Sequence, residues 1–270
     1  MTETPFFLEH GGTRLFAVLH EPAGVVRTPF VFSHPMGEEK LWSHRVFVNY
    51  ARALALAGHP VLRFDYQGTG DSDGTFAASS ISSSIIDLTR AVDHVRTVTA
   101  VPTVHLLGLR LGATIAALAA ETIGGVDRLV LWAPVIDGGR YMQEMLRINL
   151  STQLATYREI RQDREGMVEA MRQGHTVNVD GYELGHQYFA EASAIVLAAG
   201  PRSHAGPCLV VGVDRQAARP TTELERLAAA YPRATMRQAV EEPFWKEIPR
   251  FYDTAPALFT VTTDWLSGPP

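Results

Sequence analysis

The chain has 270 residues, 46% of them hydrophobic and 20% charged, with 24 lysines and arginines against 29 aspartates and glutamates. The resulting formal net charge of −5, with no clustered basic stretch, speaks against a nucleic-acid partner, and no apolar run approaches the roughly 20 residues that cross a membrane as a helix. The single cysteine, Cys208, excludes an intrachain disulfide and a cysteine-based zinc cluster. Because Met1–Pro5 lack a basic segment followed by an apolar signal core, a cytoplasmic location is the expectation.

In chain order, two alternating segments, Phe6–Glu9 and Arg14–His20, flank Gly11-Gly12 and predict a β-hairpin. Pro29–Ser33 predicts a strand that ends at His34-Pro35-Met36-Gly37, and Trp42–Ala57 has helical spacing up to Gly58. Pro60–Phe64 is a predicted strand, and Asp65–Gly74 is too rich in glycine and aspartate to be anything but a loop. A serine-rich run from Ala78 feeds an amphipathic helix over Ser82–Thr97. Thr103–Leu107 is an apolar strand, Leu111–Thr122 the helix after it, and Arg128–Trp132 a further strand. Beyond Asp137 the alternation stops: helices are predicted over Tyr141–Ala155, Thr156–Arg172 and His186–Ala198, with a small hairpin around Asn178–Leu184. Pro207–Val213 resumes the sheet, Glu223–Tyr231 is helical, Ala234–Val240 is the last strand and Pro256–Leu266 the closing helix. Strands alternating with helices predict an α/β fold, a mostly parallel eight-stranded sheet covered by helices. Residues 1–136 and 201–270 form its core, and 137–200 a helical cap inserted into it.

Gly108-Leu109-Arg110-Leu111-Gly112 lies between a buried strand and a helix, with its glycines spaced as in the G-x-S-x-G nucleophile elbow. Such a turn holds its middle residue at positive φ and leaves no room for a Cβ on either flank. His34-Pro35 at an earlier strand end and the D-x-x-G-x-G-x-S pattern of the Asp65 loop are in keeping with that elbow. On these motifs the chain resembles the α/β-hydrolase superfamily, in its serine-aminopeptidase or monoglyceride-lipase-like branch. Segments Phe32–Gly37, Phe64–Gly74, Gly108–Ala113 and Trp132–Tyr141 most resemble hydrolases associated with the exosortase-A exopolysaccharide system, which implies a role in exopolysaccharide or secondary-metabolite biosynthesis.

The resemblance implies a nucleophile, base and acid, and the sequence departs from it twice. Arg110 stands at the nucleophile position, and a guanidinium stays protonated and cannot attack a carbonyl. No histidine follows the last strand, where the base belongs; the chain there reads Glu241-Glu242-Pro243-Phe244-Trp245. Asp214 alone matches the acid. The family's oxyanion hole corresponds to the backbone N–H groups of Leu111 and Met36.

For Arg110 two roles are open: receptor for a permanent anion, a carboxylate or phosphate held bidentately, or a structural pair with Asp214 or Glu241 filling a silent site. His34 is either a general base titrating near neutrality or a support for its loop through a hydrogen bond. Glu38 and Glu39 either line the pocket or, the favoured reading, are solvated at a helix start where negative charge suits the dipole. Asp65, Asp71 and Asp73 read as a structural loop in preference to a metal site, so neither metal nor other cofactor is expected. Cys208 reads as a core residue; His175, His186 and His204 belong to or border the cap. Phe244 and Trp245 either dry the cleft or pack on the last helix.

The functional expectation is a non-serine enzyme binding an anionic small molecule at Arg110. Its alternatives are a silent binding or scaffold protein and an esterase with a relocated nucleophile such as Ser33 or Ser72. A homodimer is left open.

Overall fold

A computed structural model of the chain describes residues 1–217, 219–247 and 251–268. Its eight-stranded sheet has the order β1 (Thr2–His10), β2 (Thr13–Glu21), β4 (Val61–Phe64), β3 (Phe30–Ser33), β5 (Val104–Leu109), β6 (Val126–Trp132), β9 (Cys208–Asp214), β10 (Ala234–Val240). The β1–β2 and β2–β4 pairs are antiparallel and every pair from β4 to β10 is parallel. Every residue of β3, β4 and β5 is buried, as strands covered on both faces require.

The two faces carry different helices. Helices α2 (Ile81–Thr99), α3 (Leu111–Ala119) and α7 (Thr222–Ala230) pack on one face around Leu88, Ile115, Leu106 and Leu227. Helices α1 (Glu38–Leu56) and α8 (Pro256–Ser267) cover the other, where Trp132 is enclosed by Phe47, Tyr50 and Phe259. Trp132 also donates its indole N–H to Thr262 Oγ1 at 3.0 Å. From β3 the chain crosses to β4 on one side and returns to β5 on the other. The carboxyl ends of β3 and β5 therefore face the crevice where such sheets reverse order, the usual ligand position.

Between β6 and β9 lie α4 (Gly138–Tyr157), α5 (Arg164–Arg172), the two-stranded hairpin β7 (Val177–Val179) and β8 (Tyr182–Leu184), and α6 (His186–Ser193). The ends of this insertion meet at an antiparallel bridge between Asp137 and Val196, and the Gly138 N–H donates to Ile195 O at 2.9 Å. Its second and third helices differ from the periodicity. Arg158, at φ 61°, closes α4, and the buried Gln153 holds the following turn: its Oε1 accepts the N–H groups of Arg161 (2.7 Å) and Gln162 (3.0 Å). Helix α5 then restarts on the Asp163 cap, eight residues later than predicted. α6 stops at Ser193 because the chain must turn into the Val196 bridge. Among the described residues no helix is long and apolar enough to cross a membrane.

Candidate active site

Arg110 sits at the strand-to-helix corner with φ 54° and ψ −125°, a conformation that costs a non-glycine residue on the order of 1–3 kcal/mol. The flanking glycines explain how the corner closes. A Cβ on Gly108 would stand 2.5 Å from Ala113 Cα, and one on Gly112 would stand 2.3 Å from the carbonyl oxygens of Ser33 and His34. The backbone is fixed by Arg110 N–H donating to Trp132 O at 3.0 Å, and Val135 N–H donating to Arg110 O at 3.3 Å.

The guanidinium does not meet Asp214 or Glu241. Its Nε donates to Glu39 Oε1 at 3.0 Å, and Nη1 donates to Ala133 O at 3.3 Å. Glu39 is not the solvated residue the sequence suggested. Its side chain is 13% exposed, and Oε2 accepts the phenol O–H of Tyr141 at 2.9 Å. The Arg110 Cζ lies 5.6 Å from the Tyr141 ring centroid and 5.5 Å from that of Trp245, so two aromatic rings flank the cation. Burial is the largest single influence and would lower the guanidinium's pKa, but Glu39, Tyr141 and Glu144 together outweigh it and the net shift is upward. Burial, reinforced by Glu39, raises the Tyr141 phenol well above its usual range, so it stays a donor.

The two acids expected near Arg110 have other work. Asp214 is exposed and accepts the Gln216 N–H at 3.0 Å. Glu241 Oε2 accepts the Ala257 N–H at 3.1 Å in the first turn of α8 and so caps that helix. His34 is 3% exposed, with its ring 4.7 Å from that of Phe47 and with Nδ1 lacking a partner among the described residues. Burial pushes its pKa well below 6.5. It is therefore neither a base titrating near neutrality nor, through Nδ1, the hydrogen-bonded support foreseen; its ring contributes packing.

The relocated nucleophiles are equally committed. Buried Ser33 Oγ lies 2.6 Å from Tyr66 Oη and donates to Gly112 O at 2.6 Å. Ser72 Oγ donates to Asp65 O at 2.6 Å and accepts the Phe16 N–H at 2.9 Å. Asp65 pairs with Lys40 at 2.6 Å and accepts the Asp71 N–H at 3.2 Å, while Asp73 pairs with Arg14. Among the described residues no group of three or more metal-ligating side chains forms. Cys208 is buried in β9. His175 and His186 are exposed, and His204 is buried ahead of β9.

Of the expected site residues, Arg110 and Trp245 share a cleft of about 250 Å³ at the carboxyl ends of β6 and β9, walled also by the first turns of α4 and α7. Trp245 is 5% exposed and its indole Nε1 has no partner among the described residues; its neighbour Phe244 packs into the core beneath α8. Met36 lies across the Glu39 side, lining two small cavities of about 50 and 20 Å³, the first mostly apolar and the second mixed, neither with room for more than a few waters. Leu111 is the buried first residue of α3, and among the described residues the N–H groups of Met36 and Leu111 have no hydrogen-bond acceptor. Glu39 and Tyr141 are the site residues the sequence did not single out as partners. The signal available was an unexplained acid in the first turn of the helix that follows the His34 loop.

A mostly parallel sheet with a glycine-flanked elbow at its switch point defines the α/β hydrolases. Within that class the chain belongs to the family described as serine aminopeptidase, S33, whose model matches residues 26–177. No curated protein matches the sequence. Among solved structures, the chain is similar to Est1E from Butyrivibrio proteoclasticus with ferulic acid bound, with 17% identity and a TM-score of 0.69 over 97% of each chain. It is also similar to mouse alpha/beta hydrolase domain-containing protein 10 (16% identity, TM-score 0.61, 97% of this chain and 98% of that one). The enol-lactonase from Burkholderia xenovorans aligns at 19% identity with a TM-score of 0.57 over 97% of this chain and all of its own. At these identities the likeness is one of fold.

Proposed function

We propose that this family member binds a small molecule without serine-type hydrolysis, a silent hydrolase fold used as a binding protein. The observation that carries the reading is the elbow guanidinium, held through Nε by Glu39 and covered by Trp245 from the loop where the family's base belongs. A buried ion pair with one partner removed is strongly destabilising, so Arg110 and Glu39 are fixed as a unit. The remaining histidine near the elbow, His34, is buried and held neutral by its surroundings, which gives an unconventional acid–base enzyme less support. In this reading residues 137–200 act as a cap over a core of 1–136 and 201–270, and Arg110 and Trp245 face the ligand. The N–H groups of Met36 and Leu111 are what is left of an oxyanion hole.

Exposing the full chain to a fluorophosphonate and weighing it intact tests this, together with turnover of p-nitrophenyl butyrate. The expected result is an unchanged mass and hydrolysis no faster than in buffer. One stoichiometric phosphonyl adduct, or saturable turnover, would overturn the reading.

A further inference from the structure

The cleft beside the elbow carries a statement about ligand class, which rests on the binding-protein reading above. We infer that it binds a small monocarboxylate with an apolar body, its carboxylate seated on the free Nη2 edge of Arg110, where Glu39 on Nε competes only for the cation's charge.

Three features lead there. Two of the three guanidinium nitrogens are engaged, Nε by Glu39 and Nη1 by Ala133 O. Nη2 has no acceptor among the described residues, and Arg110 lines the cleft. A guanidinium presents paired N–H donors that suit a carboxylate, and Glu39 on Nε shows that this cation already accepts one. The lining is mixed, and Pro134, Val135, Ile136, Leu224 and Trp245 give a carboxylate held at Arg110 hydrocarbon to rest its body on. A volume of about 250 Å³ lies just under the roughly 300–1,000 Å³ of drug-sized sites, which suits a small ligand.

Charge then separates monoanions from dianions. The cleft is lined by Arg110 and Arg140 and by Asp137, Glu144 and Glu223, with Glu39 directly behind Arg110. Arg140 is already shared between Glu223 and Asp137. The free edge of Arg110 is left to accept one negative charge, while a phosphate or dicarboxylate would place its second charge among these acids. The sequence left carboxylate and phosphate equally open; the surrounding acids favour the first.

The test is calorimetric titration of the full chain with hexanoate, benzoate, hexanol and inorganic phosphate. Hexanoate and benzoate are expected to bind, hexanol and phosphate at least tenfold more weakly. Arg110→Met should abolish hexanoate binding. Glu39→Gln, which keeps an acceptor for Tyr141 and removes the competing charge, should tighten it about fivefold. That gain distinguishes a ligand seat from a purely structural pair, whose neutralisation would leave affinity unchanged or lower it, and it does not depend on the Arg110 variant folding. Equal binding of hexanol, equal binding of phosphate, unchanged binding in folded Arg110→Met, or no hexanoate binding by either the parent chain or Glu39→Gln would each overturn the inference. A chain that resists the fluorophosphonate yet ignores hexanoate would sink this inference alone. A labelled chain would sink the binding-protein reading beneath it.

Discussion

A guanidinium keeps its charge at every pH a protein meets, so the residue at position 110 must be neutralised in place. Glu39 does this from the second residue of α1, with Tyr141 holding its other oxygen. Both members of the pair are less than one-fifth exposed, a setting in which removing one partner strands a charge. Glu39→Ala is therefore expected to destabilise the fold by about 3 kcal/mol, read as a lower urea midpoint. Arg110→Met should cost less, because Glu39 keeps the Tyr141 hydrogen bond and a place in the first turn of a helix, where a negative charge is favoured. Equal losses for the two variants would mean that the pair is not the source of the constraint.

At the level of elements, Tyr141 ties the first turn of α4 to the first turn of α1, and Arg140 ties it to α7 through Glu223. With the Asp137–Val196 bridge these contacts hold the base of the insertion against the sheet. Tyr141→Phe removes one buried hydrogen bond, worth about 1 kcal/mol. Amide exchange in the first turn of α4 should then rise about fivefold, with α2 unaffected; equal exchange in the two proteins would show that the phenol does not hold the insertion. The strands and core helices were legible because β3 and β5 are mostly apolar runs, with Ser33 and His105 the exceptions, and helix ends carry their own signals, as at Ser80, which caps α2. The break between α4 and α5 was not, because a glutamine eight residues before the turn organises it. The elbow was readable from its glycines for a steric reason, since neither tolerates a Cβ. The partner of Arg110 was not readable. It lies 71 residues away, and only the β3-to-α1 connection at the switch point brings it in. Asp214, the acid suggested by family position, and Glu241, the other acid offered as a partner, satisfy backbone N–H groups.

Across the whole molecule, the fold is that of the α/β hydrolases and the family that described as serine aminopeptidase, S33. The sheet and the strained corner are present, and among the described residues the N–H groups of Met36 and Leu111 meet no acceptor, while the corner carries a cation and the loop after β10 carries an indole. Restoring the hydroxyl alone should therefore restore no chemistry, because no histidine follows β10 to take its proton and the His34 imidazole is buried, with a pKa driven well below its usual value. Arg110→Ser, confirmed as folded and assayed with p-nitrophenyl butyrate, is expected to match the buffer rate. Saturable turnover well above that rate would place a working base beside the elbow and contradict the account.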